Sequence, residues 1–265
     1  MKSLLFALAM FSLLFLSSCA TGYYQVFKVT PVQQNQVSSD LAFEDANCKV
    51  TYNFLATGGD AGFVFHNKTD QNLYLNLGKS FFIRNGFAHN YFRNRVVTVS
   101  SSTATGVTQS VLYKSGNLFA VKALSDLSAG GHSVAFAEES VICVPPKSSK
   151  ILAEYKVSQD RYRDCDLLQY PAGKNSSSKT FSPSESPFVF SNLLTYTVGE
   201  SGNEVSFDHQ FYVSTISNHP QYSMFEYDKE GVCGKLPFRP AKILKLRSPD
   251  EFYIEYTKGM DRSKH

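Results

Sequence analysis

The nine residues CKVTYNFLA, Cys48 to Ala56, alternate between apolar and polar side chains. Cys48, Val50, Tyr52, Phe54 and Ala56 share one face, while Lys49, Thr51 and Asn53 share the other. Successive side chains of a strand point to opposite sides, so this two-residue period predicts a strand with one face buried and one wet. Immediately downstream, Thr57-Gly58-Gly59-Asp60 predicts a turn, because glycine tolerates positive φ.

The same alternation continues outward in both directions. Ala61–His66 predicts a second strand, Asn67–Asp70 a turn, and NLYLNL at residues 72–77 puts Leu73, Leu75 and Leu77 on a common face. Ser80–Arg84 runs into Asn85-Gly86, a dipeptide suited to a two-residue hairpin that needs positive φ twice. Phe87–Val99 continues as strand, interrupted by HNYFRNR at residues 89–95. Ser100–Ser110 has no apolar face and reads as a loop, and Val111–Leu127 reads either as two short strands around Ser115-Gly116-Asn117 or as a strand and a short helix. Ser133–Val144 predicts a strand that Pro145-Pro146 ends, since proline has no amide donor for a ladder. Ile151–Val157 alternates again.

A boundary is expected near Ser158. Beyond it, Lys174–Pro187 is rich in serine and proline and reads as loop. Phe188–Val198 predicts a strand, residues 199–203 a turn, and Glu204–Ile216 a strand with Val205, Phe207, His209, Phe211 and Val213 on one face. Residues 217–240 look irregular, and Lys242–Leu246 and Phe252–Tyr256 read as closing strands. Upstream, Tyr23–Thr30 is a candidate strand followed by a polar linker over residues 31–40. Helical periodicity is weak throughout. Strands roughly every ten residues predict an all-β chain, built as one or two β-sandwich units of immunoglobulin-like type. The true immunoglobulin cysteine–tryptophan–cysteine signature is absent, because the chain has no Trp.

The amino end carries an address. Lys2 precedes a thirteen-residue apolar run, Leu4–Leu16. That run is short of the ~20 residues needed to span a bilayer and suits the apolar core of a secretory signal. It ends in Leu16-Ser17-Ser18-Cys19, which resembles the bacterial lipobox. The resemblance implies that residues 1–18 are removed as a signal helix, that the Cys19 sulfur carries a diacylglycerol, and that its amino group is acylated too. Two or more acyl chains anchor a protein stably where one does not. The alternative is a plain cleaved signal with Cys19 as an ordinary thiol. The resemblance to bacterial lipoproteins further implies the outer membrane, since Ala20 stands where inner-membrane lipoproteins carry a retention aspartate, and a periplasm-facing position, since the acidic cluster of surface-exported lipoproteins is lacking after Cys19. The expected organisation is therefore residues 1–18 signal, 19–40 anchored strand and linker, 41–157 a β-sandwich unit, and 158–265 a second β-rich unit packed on the first.

Four blocks, LSSCATGYYQVFKV (16–29), GFVFHNKTDQNLYLNLGKSFFIRNG (62–86), VPPKSSKILAEYKV (144–157) and DHQFYVSTISN (208–218), resemble uncharacterised lipoproteins of the Bacteroidetes. The resemblance spans most of the chain and implies an exported, anchored, bacterial protein. It implies no activity and carries over no catalytic residue.

Composition bounds the chemistry. Of 265 residues, 247 remain after the signal, with 25 basic against 23 acidic side chains. This balance leaves no electrostatic footprint for nucleic acid. Cys48, Cys143, Cys165 and Cys233 form an even set in an exported chain, which predicts two disulfides, with Cys48–Cys143 and Cys165–Cys233 the favoured pairing of three. The alternative is buried free thiols, and the absence of C-x-x-C argues against a zinc ribbon or thioredoxin-type chemistry.

Catalytic motifs are equally sparse. Ser176–Lys179 matches S-x-x-K formally, and Ser201-Gly202-Asn203 follows, but the match lies in a serine-rich segment with no K-T-G. The histidines, His66, His89, His132, His209, His219 and His265, show no metal-binding spacing. Asp208 and His209 are neighbours on a predicted strand and so face opposite ways, and His209 is expected to pack with Phe207 and Phe211. Asp164-Cys165-Asp166 lacks the further oxygen ligands of a calcium loop and is flanked by Arg161 and Arg163, so local ion pairing is expected instead. Tyr23, Tyr24, Tyr91 and Tyr162 are the candidate sugar-stacking platforms in the absence of Trp. No catalytic residue, cofactor or metal site is expected. The leading expectation is a non-enzymatic binding or scaffolding module, held to membrane lipid through acylated Cys19, with an envelope protein or glycan as partner. The alternative is a periplasmic or surface hydrolase acting on glycan or peptide.

Overall fold

The computed structural model describes residues 21–32, 41–100, 111–115, 118–122, 133–172, 176–227 and 242–258, with backbone only for 96–100, 111–115, 118–122 and 133–136. The signal segment, Cys19, residues 33–40, residues 101–110, His132, Cys233 and His265 lie outside the described residues.

The chain is all-β. Its strands are β1 (Gly22–Pro31), β2 (Ala42–Glu44), β3 (Cys48–Tyr52), β4 (Phe63–Asn67), β5 (Leu73–Asn76), β6 (Phe81–Arg84) and β7 (Phe87–Asn90). There follow β8 (Val96–Ser100), β9 (Val111–Ser115), β10 (Leu118–Lys122), β11 (Ser133–Ala137), β12 (Val141–Val144) and β13 (Ser149–Leu152). The last six are β14 (Ser177–Thr180), β15 (Val189–Val198), β16 (Glu204–Pro220), β17 (Phe225–Tyr227), β18 (Lys242–Leu244) and β19 (Glu251–Thr257). A nine-stranded antiparallel sheet runs β12-β5-β15-β16-β1-β19, with β14 paired on β16 and the β6–β7 hairpin paired on β15. A four-stranded sheet, β13-β4-β3-β2, forms the second layer, and β8–β11, β9–β10 and β17–β18 are two-stranded ribbons.

The predicted half-buried strand is β3, which ends at Tyr52 and so covers only the first five of the nine residues Cys48–Ala56. Cys48, Val50 and Tyr52 are buried while Lys49 and Thr51 are only partly covered. Tyr52 of β3, Phe54 just after it and Phe65 of β4 meet the large sheet through aromatic contacts: Tyr52 with Phe211 at 5.0 Å, Phe54 with Phe211 at 5.1 Å and with Phe190 at 5.4 Å, and Phe65 with Tyr196 at 5.7 Å. Burying each such ring contributes ~1.5–3 kcal/mol, and the edge-to-face geometry adds to it. The turns match the residues that demanded them. Gly58 and Gly59 have φ of 80° and 73°, and Asn85 and Gly86 have 47° and 82°.

Several expectations are corrected. Strands on both sides of Ser158 share the large sheet, β5 and β12 before it and β15, β16 and β19 after it, and their apolar faces join one core. Ser158 therefore marks no boundary between separate units. Of the two readings of Val111–Leu127, the described residues show the pair of short strands, β9 and β10, whereas Ser133–Val144, expected as one strand, splits into β11 and β12, which belong to different sheets. The serine-rich segment read as loop contains β14, held by backbone pairing to β16. Residues 217–220, read as irregular, extend β16 to seventeen residues. The amino-terminal strand β1 lies in the sheet interior, between β16 and β19. Tyr23 through Phe27 are all buried, because a second small core of Met224, Phe225, Leu244, Leu246 and Tyr253 covers Tyr24 and Val26 on the outer face.

The predicted Cys48–Cys143 disulfide is not formed; Cys48, Cys143 and Cys165 are free thiols, and Cys165's proposed partner lies outside the described residues. The reason is strand parity. On β12, Val144 is buried and Cys143 is exposed, so Cys143 points away from the layer that encloses Cys48. Side chains aimed apart cannot bridge without moving backbone.

Candidate functional site

Among the described residues, an open cleft of about 540 Å³ lies between the β6–β7 hairpin and the segment 158–163. The hairpin supplies Arg84, Asn85, Phe87 and His89; the segment supplies Ser158, Asp160, Arg161, Tyr162 and Arg163; Phe188 forms part of the floor. Three arginines against one aspartate leave the lining net positive.

Each wall is held by identifiable bonds. Asn85 accepts from Val189 N–H at 2.9 Å and donates through Nδ2 to Pro187 O at 3.0 Å, which locks the hairpin tip to the start of β15. The opposite wall has no regular structure and is tied down by Gln25 on β1. Gln25 donates through Nε2 to Tyr162 O at 2.9 Å, and its Oε1 accepts from Tyr162 N–H at 2.6 Å. Asn218 on β16 accepts from the same Nε2 at 2.9 Å and donates to Leu168 O, also at 2.9 Å. Gln25 and Asn218 are both buried, so these bonds form where an unpaired amide would be costly. Arg84 donates through Nη1 to Val157 O at 3.1 Å, linking the two walls. Arg161 lies over the Tyr256 ring, 4.6 Å from its centroid. Phe87 stands on the lip with 75 % of its surface exposed. Arginine forks recognise planar carboxylates and phosphates bidentately, and an exposed ring offers a stacking surface, so the cleft has the chemistry to hold an acidic group.

The residues singled out from sequence fall elsewhere. Tyr23, Tyr24 and Tyr91 are buried, at 7 %, 4 % and 1 % exposure, so they are packing residues and not open platforms; Tyr162 alone of the four lines the cleft. Tyr91 instead donates to Asn192 Oδ1 at 2.6 Å inside the core. His209 is buried among rings, 3.7 Å from the Phe43 centroid and 4.4 Å from Phe207, with Nδ1 2.8 Å from the Tyr52 hydroxyl. Burial holds its pKa down at about 3, with Asp45 opposing weakly. Asp208 accepts from Gln210 and does not contact His209. Asp164 and Asp166 pair with Lys179 at 2.6 and 3.4 Å, so the lysine of the formal S-x-x-K match is engaged as a structural counter-ion. The Lys179 hydrogen bond, with a second from Tyr162, lowers the Asp164 pKa to about 2. Among the described residues no three histidine, cysteine or acidic side chains group as metal ligands.

Arg84 and Phe87 went unremarked in the sequence as binding residues, and Arg161 and Arg163 are expected there only as ion-pair partners of the neighbouring aspartates, which pair with Lys179. The one trace of the cleft is the charge of RYR at 161–163, beside the mixed DCDLLQYP, and nothing there indicates that Arg84 lies opposite. No protein-family model matches the chain, no curated protein matches it, and no solved structure matches it.

Proposed function

We propose that this protein is a lipid-anchored outer-membrane lipoprotein, acylated at Cys19, that serves as a binding module of the cell envelope. In this reading the arginine-lined cleft is the recognition surface, and its ligand is an envelope glycan bearing carboxylate or phosphate groups. The carrying observation is the convergence of Arg84, Arg161 and Arg163 with the exposed Phe87 on one open cleft. An open concavity with a ring on its lip suits reversible holding of a polymer, whereas catalytic sites are typically enclosed and gather groups of shifted pKa. The histidine with the largest shift here, His209, lies in the core and not among the cleft residues. The thirteen-residue apolar run and Leu16-Ser17-Ser18-Cys19 support the anchor.

The test has two arms. Cells expressing the Cys19→Ala variant are fractionated, and the protein should leave the membrane fraction; unchanged retention argues against acylation. Separately, the Cys19→Ala protein is titrated with acidic and neutral oligosaccharides. Acidic sugars should bind, binding should weaken with salt, and Arg84→Gln with Arg163→Gln should abolish it. Equal binding of neutral sugars, turnover of a glycan, or no binding at all would overturn the cleft assignment.

A further inference from the structure

The start of β1 lies very close in sequence to the proposed lipid. Thr21 already accepts a backbone hydrogen bond from Lys258 at 3.3 Å, and Gly22 pairs with Thr257. Only two peptide steps separate Cys19 from Thr21, a reach of at most ~8 Å. A flexible tether of many residues would leave a domain free to tumble, and this chain has no room for one at that point.

The surface around that end has a composition suited to a bilayer interface. The turn at Gln221–Met224 closes on Gly22, where a Cβ would stand 2.6 Å from Gln221 Oε1. On that turn Tyr222 is 59 % exposed. Leu168, fixed nearby through its carbonyl to Asn218, is 58 % exposed. Between them Tyr23, Tyr170 and Tyr256 pack together, with centroids 5.3, 5.5 and 6.2 Å apart. Lys258 lies on Tyr170 at 5.7 Å, and the Tyr256 ring is covered by Arg161, which belongs to the cleft wall and is no part of this surface. Glu255 is an exposed acid in the same part of β19. The tyrosine cluster is packing that stiffens this end, since Tyr23 is buried and the Tyr256 hydroxyl donates to Gln169 O; the exposed Tyr222, with an apolar body and a polar tip, and the exposed Lys258 are what suit the headgroup region.

We propose that this end of the large sheet is a membrane-contact face, seated on phospholipid headgroups, so that the protein stands on the bilayer and does not hang from it. The inference rests on acylation of Cys19. Leu168 and Tyr222 enter the interface, and Lys258 meets lipid phosphate. The strands then project outward. Pro31 pairs with Phe211, which pairs with Phe190, which pairs with Arg84. The hairpin lip of the cleft is thus nine residues of β1 beyond Gly22, about 30 Å of strand contour from the lipid.

The absence of Trp from the chain makes a single introduced indole a clean reporter. The acylated full-length protein carrying Tyr222→Trp is reconstituted in vesicles of phosphatidylcholine with a minority of phosphatidylglycerol, with and without brominated acyl chains. Asn203→Trp, on the exposed turn at the opposite end of β16, is the control, and Leu168→Trp replaces Tyr222→Trp if that variant folds poorly. The indole at 222 should shift to the blue and lose about half its emission or more to bromine, while that at 203 should change little. Equal insensitivity at both positions, in protein that floats with vesicles, overturns the contact face and leaves the anchor standing. An unmodified intact mass with no flotation overturns the anchor, and this inference with it.

Discussion

Mild acid should destabilise this fold through His209, with Glu251, whose pKa burial raises, opposing that slope as it protonates. The ring is 6 % exposed, stacked on Phe43, and bonded at Nδ1 to the Tyr52 hydroxyl at 2.8 Å. Burial depresses its pKa to about 3, against roughly 6.5 in an unfolded chain. The unfolded state therefore binds a proton that the folded state refuses. Stability is full above pH ~6.5 and falls by about 1.4 kcal/mol per pH unit below it, down to the folded pKa. At pH 5 the loss is about 2 kcal/mol, a sizeable fraction of the 5–15 kcal/mol typical of a domain. Asp45, a charged group facing the ring, is half-buried, and hydrogen bonds from Tyr196, Cys48 N–H and Asn47 N–H outweigh its partial burial and hold its pKa below the usual range, so it contributes no slope in this window. His219, whose pKa burial also lowers, adds a slope of the same sign.

The assay is urea unfolding of the soluble Cys19→Ala protein at pH 7, 6 and 5, compared with the same protein carrying Tyr52→Phe and His209→Phe together. Replacing both partners avoids leaving the Tyr52 hydroxyl buried and unpaired, which would itself cost about 1–3 kcal/mol. The paired variant should be near the parent at pH 5 or above it and should lose most of the pH slope, retaining the share of His219. If parent and paired variant fall equally between pH 7 and 5, His209 is not buried as a neutral ring and the reasoning fails.

The two turn glycines form a matched pair. Gly59→Ala should cost about 2–4 kcal/mol, since it combines positive φ with a Cβ 2.9 Å from the Phe252 ring, and Gly86→Ala, with positive φ in open space, should cost about 1 kcal/mol; similar urea midpoints for the two would refute the packing argument. Native alkylation without reductant should label Cys143 and Cys165 quickly and Cys48 only on unfolding, because Cys48 is buried and burial, reinforced by Asp45, raises its thiol pKa; protection of Cys143 without reductant would show it to be bonded. Gln25→Ala should remove the bonds to both Tyr162 backbone groups and expose residues 158–170 to protease while β1 stays in place; an unchanged cleavage pattern would show that other contacts hold that wall.

Local chemistry was legible in the sequence where one residue decides its own outcome. The period of CKVTYNFLA set which face of β3 is buried, the Gly58-Gly59 and Asn85-Gly86 turns follow from φ preferences, and Phe207, His209 and Phe211 follow from strand parity. The cleft was not legible, because its charges come from Arg84 and from residues 161–163, brought together by Gln25 reaching from β1 and by Arg84 reaching Val157. Only the tertiary structure determined that β1 is an interior strand, that Ser177–Thr180 joins the sheet, and that Cys143 faces away from Cys48. The physical reason is common to all three. Alternation encodes the two sides of one strand, whereas partner choice depends on contacts between segments nearly two hundred residues apart, as in Gln25 with Asn218.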